Sequence, residues 1–311
     1  MCGRESFSSG STSTSLPTTI GRDSPWTIGP NTVWLASGCV SKTFRRNRTP
    51  VRQQWSHVSG ILDRFFIFHP DPWQDQDWKG QSGLPLEDVW FPAADGTKLF
   101  GWYVEAPADR PVILWCHGNA GNLIHRLDNL GRFFRWALSV FVFDYRGYGR
   151  SQGRPSEEGL YLDAVGAYDY LTRTRMIRSE RIILFGRSLG AAVAGDLAAQ
   201  KPAAGLVLES SFPSIEAVAR LHYGGLPLHW LLGAEFRLID RLPQLSLPKL
   251  IIHGDQDDII PLPLGRQVFD AAPPPKSMYV VPGARHNNTY LVGGIDYFTR
   301  FADFTQDAIR S

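Results

Sequence analysis

The chain has 311 residues, 43% of them hydrophobic, which is enough for one large domain or two small ones. Its 32 basic and 30 acidic residues leave a formal net charge of +2, a near balance that gives no reason to expect nucleic acid as a partner. Cys2, Cys39 and Cys116 are too few and too scattered for a disulfide framework or a zinc site, so no metal is expected.

The first stretch differs in composition from everything after it. "SFSSGSTSTSLPTT" cannot bury enough apolar surface to offset the entropy of ordering it. "SKTFRRNRTPVR" then carries Lys42, Arg45, Arg46, Arg48 and Arg52 with no acid. Residues 1–55 therefore read as a disordered tail, and 56–311 as the domain. The basic half of the tail offers a weak contact with an anionic membrane surface, worth about 1 kcal/mol for each cation close to it. No run reaches the roughly 18 apolar residues that a spanning helix needs. A signal peptide's basic start and apolar run are also missing, which predicts a cytoplasmic protein, at most peripheral to a membrane.

From residue 84 the pattern becomes regular. Candidate strands are 86–92, 98–105, 111–117, 139–144, 181–186, 204–210, 248–254 and 277–282. The first two read as a hairpin turning at "AADGTK", where Asp95-Gly96 is a strong turn signal. The last six are short, nearly continuous apolar runs, as expected of strands covered on both faces. Helical segments fall between them at 122–137, 157–173, 188–200, 263–271 and 295–309. The second opens well, with Pro155 and Ser156 ahead of two acids in the first turn. Strands alternating with helices imply an α/β fold, a mostly parallel sheet with helices on both faces.

Functional groups in such a sheet gather at the carboxyl ends of its strands. "ILFGRSLG" ends one strand and opens a helix, and its Gly-x-Ser-x-Gly forces a tight turn that pushes Ser188 into the open. A helix cap would explain the serine too, so the surroundings decide. A serine hydroxyl is a weak nucleophile that needs a base, itself oriented by an acid, and the expected chain order is serine, acid, histidine. "HGDQDDIIP" follows the strand 248–254 and offers Asp255, Asp257 and Asp258; "VPGARHNN" follows the next strand and offers His286. Of the other histidines beyond Ser188, His222 and His229 lie in an apolar insertion and His253 lies within a strand end. Asp255 directly follows Gly254 and suits a turn-shaping role. Asp257 is preferred as the acid, with Asp258 as the alternative. An oxyanion needs two donors: the N–H of Leu189, next after the serine, and one from the loop "HGNAGN", where Gly118 permits close approach and Asn119 presents its N–H. That loop lacks the spacing of a dinucleotide or phosphate motif, and no cofactor is expected.

The ordered set "HGNAGN", "DYRGYGRS", "GRSLG", "ESSF", "HGDQDDIIP" and "GARHN" resembles the α/β-hydrolase superfamily. It is most similar to the serine-aminopeptidase-like branch, which also holds depalmitoylase-like and monoacylglycerol-lipase-like enzymes. The resemblance runs from about residue 60 to the C-terminus. It implies an α/β-hydrolase fold with an eight-stranded sheet and a short lid, and it implies Ser188 as nucleophile, Asp257 rather than Asp258 as acid, and His286 as base. It also implies that Asp144, Tyr145 and Arg146 shape a loop beside the site. Unlike the depalmitoylase-like members, this chain has a lone Cys2 in place of an N-terminal cysteine cluster.

The insertion at 212–247 occupies the usual place of the lid. Its Phe212, Leu226, Trp230 and Leu231 either pack on the sheet or line an apolar acyl pocket. The expected reaction is hydrolysis of a carboxylic ester or thioester of a small or lipid-like acyl substrate. Two alternatives are an amide or peptide hydrolase with the same three residues and a catalytically silent binding or scaffold protein.

Overall fold

The computed structural model describes residues 67–106, 110–222 and 233–310. The tail, and with it the boundary expected near residue 55, lies outside the described residues. So do Leu226, His229, Trp230 and Leu231.

One eight-stranded sheet carries the fold. Its strands are β1 (Leu86–Pro92), β2 (Lys98–Val104), β3 (Val112–Cys116), β4 (Ser139–Phe143), β5 (Ile182–Arg187), β6 (Gly205–Glu209), β7 (Lys249–Gly254) and β8 (Lys276–Val281). They lie in the order β1-β2-β4-β3-β5-β6-β7-β8. The pairs β1/β2 and β2/β4 are antiparallel and all the others are parallel. The hairpin at Asp95-Gly96 is present, with Asp95 Oδ1 accepting from the Thr97 N–H at 3.1 Å.

The helices are α1 (Trp78–Ser82), α2 (Leu127–Arg135), α3 (Glu157–Asp169), α4 (Leu189–Gln200), α5 (Ile215–His222), α6 (Leu262–Ala271) and α7 (Thr289–Ala308). Sheet side chains alternate between two cores. Leu114, Phe141, Leu184 and Leu208 pack with Leu160 of α3, Val193 of α4 and Val268 of α6. Ile113, Trp115, Phe185 and Ile252 pack with Phe133 of α2 and Phe301 of α7. This two-sided cover is why the central strands read as unbroken apolar runs rather than alternating ones. Each fully buried Leu, Ile or Phe contributes roughly 1.5–3 kcal/mol relative to exposure, which outweighs any local propensity.

Several helix limits differ from those the periodicity predicts. The stretch read as one helix from 122 to 137 begins with a 3₁₀ turn, Leu123–Arg126, before α2. Asn122 caps that turn, its side chain accepting from Ile124 N. The helix expected at 157–173 leaves α-geometry after Asp169 and closes with a π-turn over Tyr170–Thr174. The final helix expected from 295 is preceded by a further helical stretch from Thr289, and the two are joined in α7 across a kink at Gly294, whose φ is 51° and ψ −129°. The short helices α1 and α5 are not foreseen by the sequence reading. The second of them lies inside the lid-like insertion.

Candidate active site

The site is built at the carboxyl ends of β3, β5, β7 and β8, where the parallel strands deliver their loops to one edge of the sheet. The turn from β5 into α4 is its centre. Ser188 has φ 53° and ψ −120°, a conformation costing of order 1–3 kcal/mol that persists only when its surroundings enforce it. The two flanking glycines allow that enforcement. A Cβ on Gly186 would stand 2.3 Å from the carbonyl oxygen of Gly190, and one on Gly190 would stand 2.0 Å from that of Cys116. Without side chains at these positions, α4 presses its first turn against the end of β3. The Ser188 hydroxyl is therefore lifted clear of the helix, caps nothing, and is partly exposed.

The loops after β7 and β8 bring the acid and histidine to it. His286 Nε2 lies 3.0 Å from Ser188 Oγ, and His286 Nδ1 lies 2.8 Å from Asp257 Oδ2. The other carboxylate oxygen of Asp257 accepts from the backbone N–H of Ile259 at 3.0 Å and of Ile260 at 2.8 Å. Burial pushes this carboxyl up, but the hydrogen bond and charge of His286, with the Ile260 N–H, hold it net below its ordinary value. An ionised carboxylate can only accept, so in the neutral ring Nδ1 carries the proton and Nε2 is left free to take one from the serine.

The neighbouring aspartates are spent elsewhere. Asp255 Oδ1 accepts from the Gly283 N–H at 2.7 Å, tying the β7 loop to the β8 loop. Asp258 is exposed and faces Arg285 at 3.7 Å. His253 is fully buried, with Nε2 2.7 Å from the Ile260 carbonyl oxygen, and burial lowers its affinity for a proton. His222 Nε2 lies 2.7 Å from the Ile259 carbonyl oxygen.

Gly118 abuts the serine: a Cβ there would stand 3.6 Å from Ser188 Cβ. The side chain of Asn119 is held away from the nucleophile, accepting from the Tyr148 hydroxyl at 2.9 Å and the His69 N–H at 3.3 Å, and donating to the Ile67 carbonyl. Among the described residues, no partner accepts from the backbone N–H of Asn119 or of Leu189. The "DYRGYGRS" loop supports this arrangement from behind. Tyr145 donates to the His117 carbonyl at 3.0 Å, and Asp144 accepts from the Leu123 N–H at 3.0 Å. Arg146 instead points to α3 and the hairpin, where it meets Asp163 and Asp95, each at 2.8 Å.

Phe212 is buried in the core on the α4 side of the sheet. The remaining pocket candidates, Leu226, Trp230 and Leu231, lie outside the described residues. Two side chains the sequence reading passed over do touch the site. Arg187 and Glu209 end β5 and β6 as direct neighbours, and Arg187 Nη2 donates to the His286 carbonyl at 2.7 Å. The available signal was a charged residue at the end of each of two apolar strands. Among the described residues, no group of three or more His, Cys, Asp or Glu side chains could hold a metal ion, and no helix is long and apolar enough to cross a membrane.

Comparison with known proteins agrees with this fold. The serine aminopeptidase S33 family model matches residues 107–233. An uncharacterized protein of Mycobacterium tuberculosis is 42% identical over 226 residues, covering 71% of this chain and 80% of that one. The α/β hydrolase domain-containing protein WAV2 of Arabidopsis thaliana is 33% identical over 247 residues, covering 72% of this chain and 79% of its own. Among solved structures, the esterase Pf2001 of Pyrococcus furiosus superposes with a TM-score of 0.65 at 21% identity, over 78% of this chain and 99% of that one, a likeness of fold.

Proposed function

The chain belongs to the α/β-hydrolase superfamily, and from that premise we propose that it is a serine hydrolase, cleaving a carboxylic ester or thioester of an acyl substrate through an acyl-enzyme. One observation carries the reading: an unbroken hydrogen-bonded line from Ser188 through His286 to Asp257, at 3.0 and 2.8 Å, starting from a serine whose backbone is strained.

In this mechanism Ser188 Oγ attacks the substrate carbonyl while His286 Nε2 takes its proton. Asp257 keeps the Nδ1 proton in place and stabilises the imidazolium that forms. The N–H groups of Leu189 and Asn119 receive the oxyanion; removing one such donor from a hydrolase typically costs about 10²–10³-fold in rate. His286 then protonates the leaving alcohol or thiol. Water, deprotonated by the same nitrogen, attacks the acyl-enzyme and frees Ser188.

The test is labelling with a fluorophosphonate, which modifies only an activated serine. Wild-type protein is expected to label and Ser188→Ala not to. Folded wild-type protein that stays unlabelled would sink the reading and leave a binding or scaffold role. Parallel kinetics on matched acyl ester, thioester and amide substrates separates the ester reading from the amide one.

A further inference from the structure

Arg187 and Glu209 occupy the part of the sheet where charge is hardest to keep. They stand opposite each other in the parallel register of β5 and β6, 6% and 1% exposed, with Arg187 Nε 3.3 Å from Glu209 Oε1. Taking two charges out of water costs several kcal/mol per ion, and a well-packed apolar pair in such a place is commonly no less stable. Stability alone therefore gives a poor reason for the pair. What it grips gives a better one.

The second arm of the guanidinium, Nη2, donates to the carbonyl oxygen of His286 at 2.7 Å and to Asn287 Oδ1 at 3.3 Å. Glu209 accepts from the Thr289 hydroxyl and from the Tyr297 hydroxyl, each at 2.5 Å. The loop carrying His286 is thus held at the histidine's own backbone by Arg187, and at the start of α7 by Glu209. The same two residues also frame the nucleophile. Arg187 is bonded covalently to Ser188, and the Ser188 N–H donates to the Glu209 carbonyl at 2.9 Å. The side-chain ion pair thus holds the His286 side of the 3.0 Å Ser188–His286 contact, while the main chain of the same two residues carries the Ser188 side.

The geometry points to Arg187 and Glu209 as positioning residues that set the register between the Ser188 hydroxyl and the His286 imidazole. Their effect on rate rests on the serine-hydrolase reading. The guanidinium is suited to this because it is a planar fork: one edge faces the carboxylate while the other reaches a carbonyl. An ammonium at the same place keeps the charge beside Glu209 but cannot span both partners.

Two variants separate this role from a merely structural one. Arg187→Lys keeps the charge pair and removes the fork. The double variant Arg187→Met/Glu209→Gln removes both charges, so neither is left buried and unpaired. Each is compared with wild type by thermal melting and by the low-field proton resonance of His286 Nδ1–H, assigned through its loss in His286→Ala. Fluorophosphonate labelling rate and kcat and KM on a short p-nitrophenyl ester complete the comparison. Arg187→Lys is expected to melt near wild type while its resonance broadens through faster exchange with water. Its labelling rate and kcat should fall about 100-fold with KM unchanged, as for a reacting group displaced by about an ångström. The double variant should show the same split between kcat and KM. Retention of wild-type resonance and labelling rate in both variants would overturn the assignment, as would a rise in KM with kcat unchanged. A resonance that depends on Arg187 in a wild-type protein that is never labelled would uphold the positioning role and reject the hydrolase reading.

Discussion

At the scale of single residues, the site works by leaving each group one thing to do. Asp257 has both oxygens engaged, one by the His286 ring and one by two backbone N–H groups, so its carboxylate can neither rotate nor donate. Asp257→Asn keeps the shape but offers an amide N–H where only an acceptor will serve, which favours the wrong ring tautomer. The expected outcome is a fall of about 10⁴-fold in kcat with the melting temperature little changed, read by ester kinetics and calorimetry. Because the folded carboxyl titrates below its ordinary value, its contribution to stability is complete above the usual carboxylate range and is lost as pH falls through the lowered value. The convergence of Ser188, Asp257 and His286 was legible because each follows the carboxyl end of a strand in chain order. Asp257 is preferred to Asp258 by its place in the loop and by resemblance, though which of two adjacent carboxyls turns inward depends on the loop's path. Arg187 and Glu209 were not legible as a pair. They are far apart in the chain and become neighbours only through the β5/β6 register.

At the scale of elements, the site depends on how tightly α4 is driven onto the sheet. A Cβ at Gly190 would fall 2.0 Å from the Cys116 carbonyl oxygen and 2.5 Å from that of His117, neither of which can move without unmaking the end of β3. Gly190→Ala should therefore push the helix away, lower the melting temperature and cut fluorophosphonate labelling by at least about 10-fold. Labelling at the wild-type rate would show that the close approach is dispensable. Gly131, in α2, is the contrasting case: its nearest neighbour to an added Cβ is Leu84 Cδ1 at 3.8 Å, an ordinary contact. Gly131→Ala should stabilise the protein by about 0.5–1 kcal/mol in urea titration, the gain from alanine's higher helix propensity. The strands were legible almost to the residue; for the central ones, a run buried on both faces has sharp ends, whereas β1 and β8 are partly exposed. Helix limits were less legible. The helix expected from 295 is the second part of α7, with Tyr297, Phe298 and Phe301 anchored in the core, and the helical turn before the kink at Gly294 is what the periodicity did not show.

At the scale of the whole molecule, one buried carboxyl should contribute to how stability varies with pH. Asp144 is fully buried with Oδ2 unpartnered; His117 Nε2 is 3.8 Å from Oδ1, and the Arg126 charge is nearby. Burial, only partly offset by the Leu123 N–H and Arg126, pushes this carboxyl up to about 8, and burial pushes His117 down to about 3. Asp144 therefore holds its proton in the folded state at neutral pH, while an unfolded aspartate has lost it above about pH 4. The stability it contributes is complete below that value and drains as pH rises, until the folded carboxyl ionises near about 8. Calorimetry across that window should show the melting temperature of the wild type falling with pH and that of Asp144→Asn, neutral throughout, falling less. Parallel slopes would refute the assignment. The sequence by itself determined the α/β class, the mostly parallel character of the sheet, the hairpin ahead of it and the superfamily, because apolar period and turn chemistry are local and the motifs come in a fixed order. Only the tertiary structure decided that Arg187 and Glu209 meet between the serine turn and the histidine loop, and that Asp144 is sealed from water. Each of those depends on residues that are distant in the chain and meet only when the sheet is assembled.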